Sequence, residues 1–343
     1  MVNIDKLVRK NVLNLIPYSC ARDDFKGDAA IFIDANENPF GTLNRYPDPY
    51  QRKLKSAISK IKEVREENIF LGNGSDEIID LCFRIFCSPG VDKALTFSPT
   101  YGMYEVSASV NDVHIIKVPL NENFQIDIKK TEPYLADKNL KLIFICSPNN
   151  PTGNCMNISD VEHIIKIFDR IVVIDEAYID FSSRPSFVKM VDKYPNLIVM
   201  QTFSKAFGLA AARVGMAFAN QSVIKYFNKM KPPYNISTIN QKAALKKLGN
   251  IDDCKNQATK IIKEKDRLIS ELKKVKITET VFPSDANFLL VRVKDANYVY
   301  NYLVDKGIIV RNRNSVVKNC LRITVGTKSE NNKLIKALNS ISL

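Results

Sequence analysis

Apolar positions along the chain fall into two kinds of run. Between residues 93 and 205 four short stretches, KALTFSPTY, KLIFICSPNNPTG, IVVIDEAY and NLIVMQTFSK, carry Val, Ile, Leu and Phe without alternation before running into a polar loop. A strand with one wet face alternates apolar and polar residues, so these unbroken runs predict strands buried on both faces. Helical patterns intervene. Ser159, three residues ahead of Glu162, forms a capping box opening SDVEHIIKIF, and Ser75 can cap SDEIIDLCFRIF. The aromatics Phe83, Phe86 and Phe168 read as core on the faces of these helices. Strand and helix in alternation predict an α/β body, a mostly parallel central sheet flanked by helices and joined by right-handed crossovers.

After KPPYNIS at 231–237 the pattern changes. Residues 252–274 place Ile261, Ile262, Leu268, Ile269 and Leu272 at helical spacing. Strand candidates ANFLLVRV, IIVRN and CLRITV follow, with the helix NYVYNYLVDK ending before Gly307 and a last helix capped at Ser329. This predicts a smaller α+β domain. Upstream, the first thirty residues show no sustained period and read as an arm, and FIDANENPFG reads as a strand with a turn-rich exit. The expected division is an arm over 1–30 that contributes to the small domain and to a dimer, a large domain over 31–235 and a small domain over 236–343.

Composition narrows the function classes. With 343 residues, 45% hydrophobic and 25% charged, the chain is globular and long enough for two cores. The formal charge of +13 would suit a nucleic-acid binder. The lysines, however, lie in stretches such as KEKDRLISELKKVK, interleaved with acids as on a solvated helix face, so no nucleic-acid partner is expected. A basic surface also suits an anionic substrate. No apolar run is long enough to cross a bilayer, and MVNIDKLVRKNVLNLIPY lacks a signal-peptide core, so a cytoplasmic protein without membrane contact is expected. Seven Cys without a C-x-x-C pair read as small core residues, and with two His no metal site is expected.

The candidate chemistry sits where strands end. In open α/β sheets ligands collect at the carboxyl ends of strands. Asp175 closes IVVID, Lys205 follows IVMQTFS, Asn150 follows LIFICSP and Tyr101 follows LTFSPT. That order fits pyridoxal 5'-phosphate. Its aldehyde needs a lysine amine of lowered pKa, met by Lys205 with Arg213 nearby, and its pyridinium needs a carboxylate, met by Asp175. Tyr178 and Asn150 can donate to the ring hydroxyl oxygen, and Tyr101 can cover the ring face. For the phosphate, LGNGSDEIID supplies glycines for close approach, Ser75 at a helix start and the positive helix end, with Ser204 and Arg213 completing the cup. Taken singly, each residue has a plainer role as cap, turn, core or solvated charge. Their occurrence together, each at a strand end, is what selects the chemical reading.

These runs resemble the fold type I PLP-dependent enzymes of the class II aminotransferase family, most closely its histidinol-phosphate aminotransferases. The resemblance covers nearly the whole chain: NLIPY, NENPFG, RYPDP, LGNGSDEII, SPTYGMYEVSA, CSPNNPTG, VIDEAYIDF, TFSKAFGLAAARVG, DANFLLV and LRITVGT. It implies an aspartate aminotransferase-like fold, with Lys205 as the residue bonded to the cofactor and Asp175, Asn150 and Tyr178 as its ring ligands. Tyr101 is implied to stack on the ring, and Ser75, Asp76, Ser204 and Arg213 to form the phosphate cup. Tyr46 is implied to reach a neighbouring subunit's cofactor, hence a homodimer with shared active sites in which the arm takes part. Arg322, Arg311, Asn150 and Tyr18 are implied for the substrates, glutamate or 2-oxoglutarate on one side and histidinol phosphate or imidazole acetol phosphate on the other.

Two features depart from the pattern. Ala211 stands where the resemblance leads one to expect glycine, which would tighten local packing, and the segment from Arg311 to Arg322 is short, which bears on substrate choice. Alternatives of the same scaffold are a threonine-phosphate decarboxylase-like enzyme of cobalamin synthesis and an aromatic amino acid aminotransferase. From another class, a PLP-binding regulatory protein without turnover is argued against by the intact Lys205.

Overall fold

A computed structural model describes residues 2–19 and 31–341. The second part of the expected arm, Cys20 included, lies outside the described residues. Seven strands form the larger sheet: β1 (Ile69–Asn73), β2 (Lys93–Ser98), β3 (His114–Pro119), β4 (Leu140–Cys146), β5 (Ile171–Asp175), β6 (Leu197–Thr202) and β7 (Val214–Ala219). Their order is β1-β7-β6-β5-β4-β2-β3, with β7 antiparallel to both neighbours and the remaining pairs parallel.

The unalternating sequences of the inner strands follow from cores on both faces. In β4, Ile143 and Ile145 enter one core, while Leu142, Phe144 and Cys146 enter the other with Phe83 and Phe86 of the helix Ser75–Phe86. Phe168 is buried in the first core. Full burial of the β5, β6 and β7 backbones fixes their register, because a one-residue slip would exchange two packed faces.

The smaller sheet is antiparallel, ordered β10-β11-β9-β8: β8 (Thr278–Val281), β9 (Phe288–Val293), β10 (Arg311–Asn312) and β11 (Cys320–Thr324). Leu289, Val291, Leu321 and Ile323 pack on Leu268, Val299, Leu303 and Leu334 of three helices, Ile251–Leu272, Ala296–Asp305 and Lys328–Asn339. The opposite face carries Leu290, Cys320 and the side chain of Arg322, which reaches Asn150 of the large body.

Several expectations are revised. Residues 31–34 form no strand. Their segment is ordered by side chains instead: Glu37 accepts from the Tyr46 backbone N–H at 2.6 Å and from Arg45 at 2.7 Å, and Arg45 also donates to the Phe32 carbonyl. Ser75 is the first residue of its helix, whose N-cap is Gly74 without a side-chain cap. Ser159 lies inside the helix Ile158–Ile167, whose N-cap Asn157 likewise makes no side-chain cap bond. The last helix is capped by Thr327, in a reciprocal pair with Glu330, rather than by Ser329. Ile4, Val8 and Val12 of the arm pack on the helices of the large sheet rather than on the small one. Past residue 235, Ala244 and Leu248 of the helix Thr238–Leu248 still belong to the large-sheet core, and the chain crosses to the small sheet along Ile251–Leu272. No helix among the described residues is long and apolar enough to cross a membrane, and none of them form a cluster of three or more metal-ligating side chains.

Candidate active site

One cavity opens at the carboxyl ends of β4, β5 and β6. Nine of the predicted residues line it: Ser75, Asp76, Tyr101, Asn150, Asp175, Tyr178, Ser204, Lys205 and Arg213, together with Cys146, Ala177, Thr202 and Ala210. Parallel strands delivered side by side bring these distant positions to one edge.

Asp175, 3% exposed at the end of β5, is the floor of the cavity. Burial raises its carboxyl above the ordinary range, and three groups oppose that rise: the Tyr104 hydroxyl donating to Oδ2 at 2.7 Å, the Ala177 N–H donating to Oδ1 at 3.0 Å, and the Lys205 cation. Tyr104 escaped the sequence reading because a tyrosine on a helix face reads as packing. It does pack, stacked on Phe144 at 4.9 Å between ring centroids, but its hydroxyl is spent on the carboxylate. Its neighbour Glu176 points away from the cavity and is pushed up to about 7 by burial, against donors from Ser186, the Phe187 backbone and Gln201.

Lys205 sits in the turn after β6. Its amine is lowered chiefly by burial and next by the Arg322 cation, with Asp175 acting the other way. Nζ lies 5.5 Å from the centroid of the Tyr178 ring. Phe288 of the small sheet meets Tyr178 edge-on at 5.0 Å, and the Arg322 guanidinium lies 5.3 Å over that same Phe288 ring. Arg322 Nη1 donates to Asn150 Oδ1 at 2.5 Å. The small sheet thus closes one side of the cavity with an aromatic ring and a cation. Phe288 lies in the quoted DANFLLV run, yet nothing local marked it as the ring that backs Tyr178.

The opposite end is a cradle of backbone. Gly74 adopts φ +78° at the N-cap and presents the unfilled first turn of the helix Ser75–Phe86. A Cβ on Gly74 would strike the Arg213 guanidinium, and one on Gly215 would come within 2.5 Å of the Gly74 carbonyl carbon and 2.6 Å of the Ser75 nitrogen. Arg213, itself at φ +49°, donates to Asp76 Oδ2 at 3.0 Å, while the Tyr101 hydroxyl donates to Asp76 Oδ1 at 3.3 Å. An uncapped helix start flanked by Ser75, Ser204 and an arginine is an anion site by geometry and by dipole. With a buried carboxylate and an amine of lowered pKa beyond it, the donor set fits pyridoxal phosphate end to end.

Three predicted residues lie apart. Tyr46 stacks on Tyr234 at 4.3 Å in a separate cleft lined by residues 35–38, 43–47 and 237–239. Tyr18, at the end of the described arm, is 73% exposed. Arg311 is exposed and stands directly opposite Arg322 in the β10–β11 register, outside the cavity lining. Ala211 is exposed, so the residue in the expected glycine's place tightens no packing. The short segment from Arg311 to Arg322 forms a tight turn, in which the Arg313 N–H donates to the Cys320 carbonyl at 2.9 Å and the Val317 N–H to the Arg313 carbonyl at 2.8 Å.

Comparison with known proteins agrees with this geometry. A histidinol-phosphate aminotransferase of Parabacteroides distasonis is 52% identical over 346 residues, covering 100% of both chains. The solved histidinol-phosphate aminotransferase of Clostridium acetobutylicum superposes with a TM-score of 0.80 at 28% identity, covering 87% of this chain and 90% of that one. That of Sinorhizobium meliloti, solved in complex with pyridoxal-5'-phosphate, does so with a TM-score of 0.80 at 25% identity, covering 89% of each. The match to the family described as aminotransferase class I and II runs from residue 23 to residue 338 and so encloses every residue that lines the cavity. The chain belongs to the aminotransferases of class I and II.

Proposed function

We propose that the chain moves an amino group between glutamate or 2-oxoglutarate and imidazole acetol phosphate or histidinol phosphate, using pyridoxal 5'-phosphate held in the Lys205 cavity. The observation that carries this reading is Arg322, a largely buried cation that crosses from the small sheet to Asn150 and depresses the Lys205 amine. An anion-binding guanidinium and a proton-transferring amine therefore share one cavity. The substrate itself is taken from the full-length relative at 52% identity, whose name states it.

Bound pyridoxal phosphate supplies an electron sink for the pair left on a substrate Cα when its proton is removed. Asp175 keeps the ring nitrogen protonated, and Tyr104 fixes the orientation of that carboxylate. Asn150 and Tyr178 serve the ring hydroxyl oxygen, Tyr101 covers the ring face, and the first turn at Ser75 with Asp76, Ser204 and Arg213 holds the phosphate. Lys205 would be the group that takes and carries the substrate Cα proton. A free amine is needed for that, and burial of Lys205 beside Arg322 shifts its pKa in that direction. Arg322, with Arg311 and Tyr18, receives the anionic end of either substrate.

A homodimer in the cytoplasm completes the proposal. Ile16, Ile31, Ile33, Phe40 and Leu43 are 66% exposed or more, Leu43 lining the Tyr46 cleft, and a second copy would cover them. The deciding experiment loads the purified protein with cofactor and adds glutamate. The visible absorbance of the cofactor shifts to that of the pyridoxamine form, and imidazole acetol phosphate restores it. No shift with glutamate overturns the transaminase reading, and a shift without restoration overturns the proposed acceptor.

A further inference from the structure

β10 and β11 bring three arginines together, of which the reading above uses two. Arg311 is paired with Arg322, and the Arg313 N–H bond to the Cys320 carbonyl extends the same ladder by one step. Side chains two apart on an extended segment share a face, and directly paired residues share it across the ladder. Arg311, Arg313 and Arg322 therefore stand on one face, the one from which Arg322 reaches Asn150. Leu321 and Ile323 point the other way, into the core of the small sheet.

The guanidinium of Arg313 is half-buried, and its Nε, like that of Arg322, is buried without a hydrogen-bond partner. Among the described residues no carboxylate pairs with Arg311 or Arg313. Burial and the two neighbouring arginines all disfavour the Arg313 cation. Desolvating like charges side by side without a counter-ion is costly unless an anion completes the site. A solvated surface arginine would have all its nitrogens in water, and this one does not.

We infer that Arg313 is the third guanidinium of the substrate-anion site and sets its preference for a phosphate monoester. The inference rests on the proposed function and deepens it. A carboxylate offers two oxygens in one plane and is satisfied by one bidentate arginine. A phosphate monoester carries three terminal oxygens and close to two charges at neutral pH, enough for the cluster. Arg322, with Arg311 paired opposite it, suffices for glutamate, while the phosphorylated amine draws on Arg313 as well.

The test compares histidinol phosphate with histidinol as amino donors to the cofactor-loaded protein, following the cofactor absorbance. It also measures inhibition of the glutamate half-reaction by inorganic phosphate. Arg313→Gln lowers the ratio of kcat/KM for histidinol phosphate over histidinol by about tenfold, equivalent to about 1.4 kcal/mol, and weakens inhibition by phosphate. Arg313→Lys, which keeps a charge but not the fork, falls between the two. A wild-type protein with no preference for the phosphorylated amine overturns both the substrate reading and the role of Arg313. A wild-type preference that Arg313→Gln leaves unchanged overturns Arg313 alone. A loss of visible cofactor absorbance in both variants, with Arg313→Lys no better than Arg313→Gln, assigns the residue to folding and overturns the inference as well.

Discussion

The Lys205 cavity and the arginine face of the small sheet are adjacent, and they treat charge in opposite ways. In the cavity, charged groups find partners within the chain: both oxygens of Asp175 accept hydrogen bonds and Arg213 is paired with Asp76. On the arginine face, Arg322 has one amide oxygen, and two buried guanidinium nitrogens have nothing. A site that must hold one cofactor in one orientation gains from groups already fixed by their neighbours. A site that alternates between two substrates gains from groups left for the substrate to satisfy. Chemistry and specificity are thus divided between two bodies that meet at Asn150.

The largest effect separates the two sides outright. Lys205→Ala should cut exchange of the substrate Cα proton by a factor on the order of 10⁴, the upper range for a positioned acid and base, while the cofactor still binds in its cradle. Proton exchange followed by NMR checks this. Exchange at the wild-type rate would mean that another group moves the proton.

A smaller effect probes the buried carboxyl behind the cavity, on the far side of the β5 end from Lys205. Glu176 titrates at about 7 in the folded chain against an ordinary 4.5. Below that lower value the carboxyl is protonated whether folded or not. As the pH rises, the unfolded chain ionises first, so the stability this group contributes is full at low pH and is lost as the pH climbs through the folded pKa. Glu176→Gln removes the titration. Gln201 Oε1 is buried without a partner, so a flipped Gln201 amide can accept from the new Gln side chain. Between pH 4.5 and 7 the variant should gain on the wild type by on the order of 3 kcal/mol, read from urea midpoints at each pH. Parallel pH profiles would mean that Glu176 titrates alike in the folded and unfolded chain and that its site behind the cavity is less dry than described.

The same division explains what the sequence disclosed. β2, β4, β5 and β6 were legible because burial on both faces leaves few polar residues in a strand. β1, β3, β7 and β8 were not: β7 is built of VGMAFA, where small residues blur the pattern, and β3, HIIKVP, is a mostly exposed edge strand without clear periodicity. Asp175, Lys205 and Asn150 stood out as single polar residues ending apolar runs. Tyr104 and Phe288 did not, because their roles depend on which strand lies next to which. Arg313 was invisible for a related reason, since only the β10–β11 register turns three scattered arginines into a cluster. The Tyr46 stack on Tyr234 joins positions 188 residues apart, beyond any local pattern.

The finest test asks whether the arginine face is one site or two. In the proposed site Arg322 is the member that both anions would meet, because it alone of the three touches Asn150 and stands over Phe288. Arg322→Ala removes a charge-assisted contact worth about 1.5–2 kcal/mol, so kcat/KM for glutamate and for histidinol phosphate should each fall by roughly 10- to 30-fold. Parallel losses sharpen the contrast with Arg313, whose replacement moves the phosphate ester selectively. A loss confined to one substrate would mean that the two anions bind on separate residues, and the face would then be two half-sites sharing a strand pair. A shared Arg322 also predicts that inorganic phosphate competes with glutamate in the wild type and loses that competition in Arg322→Ala, which a site split between separate residues would not do.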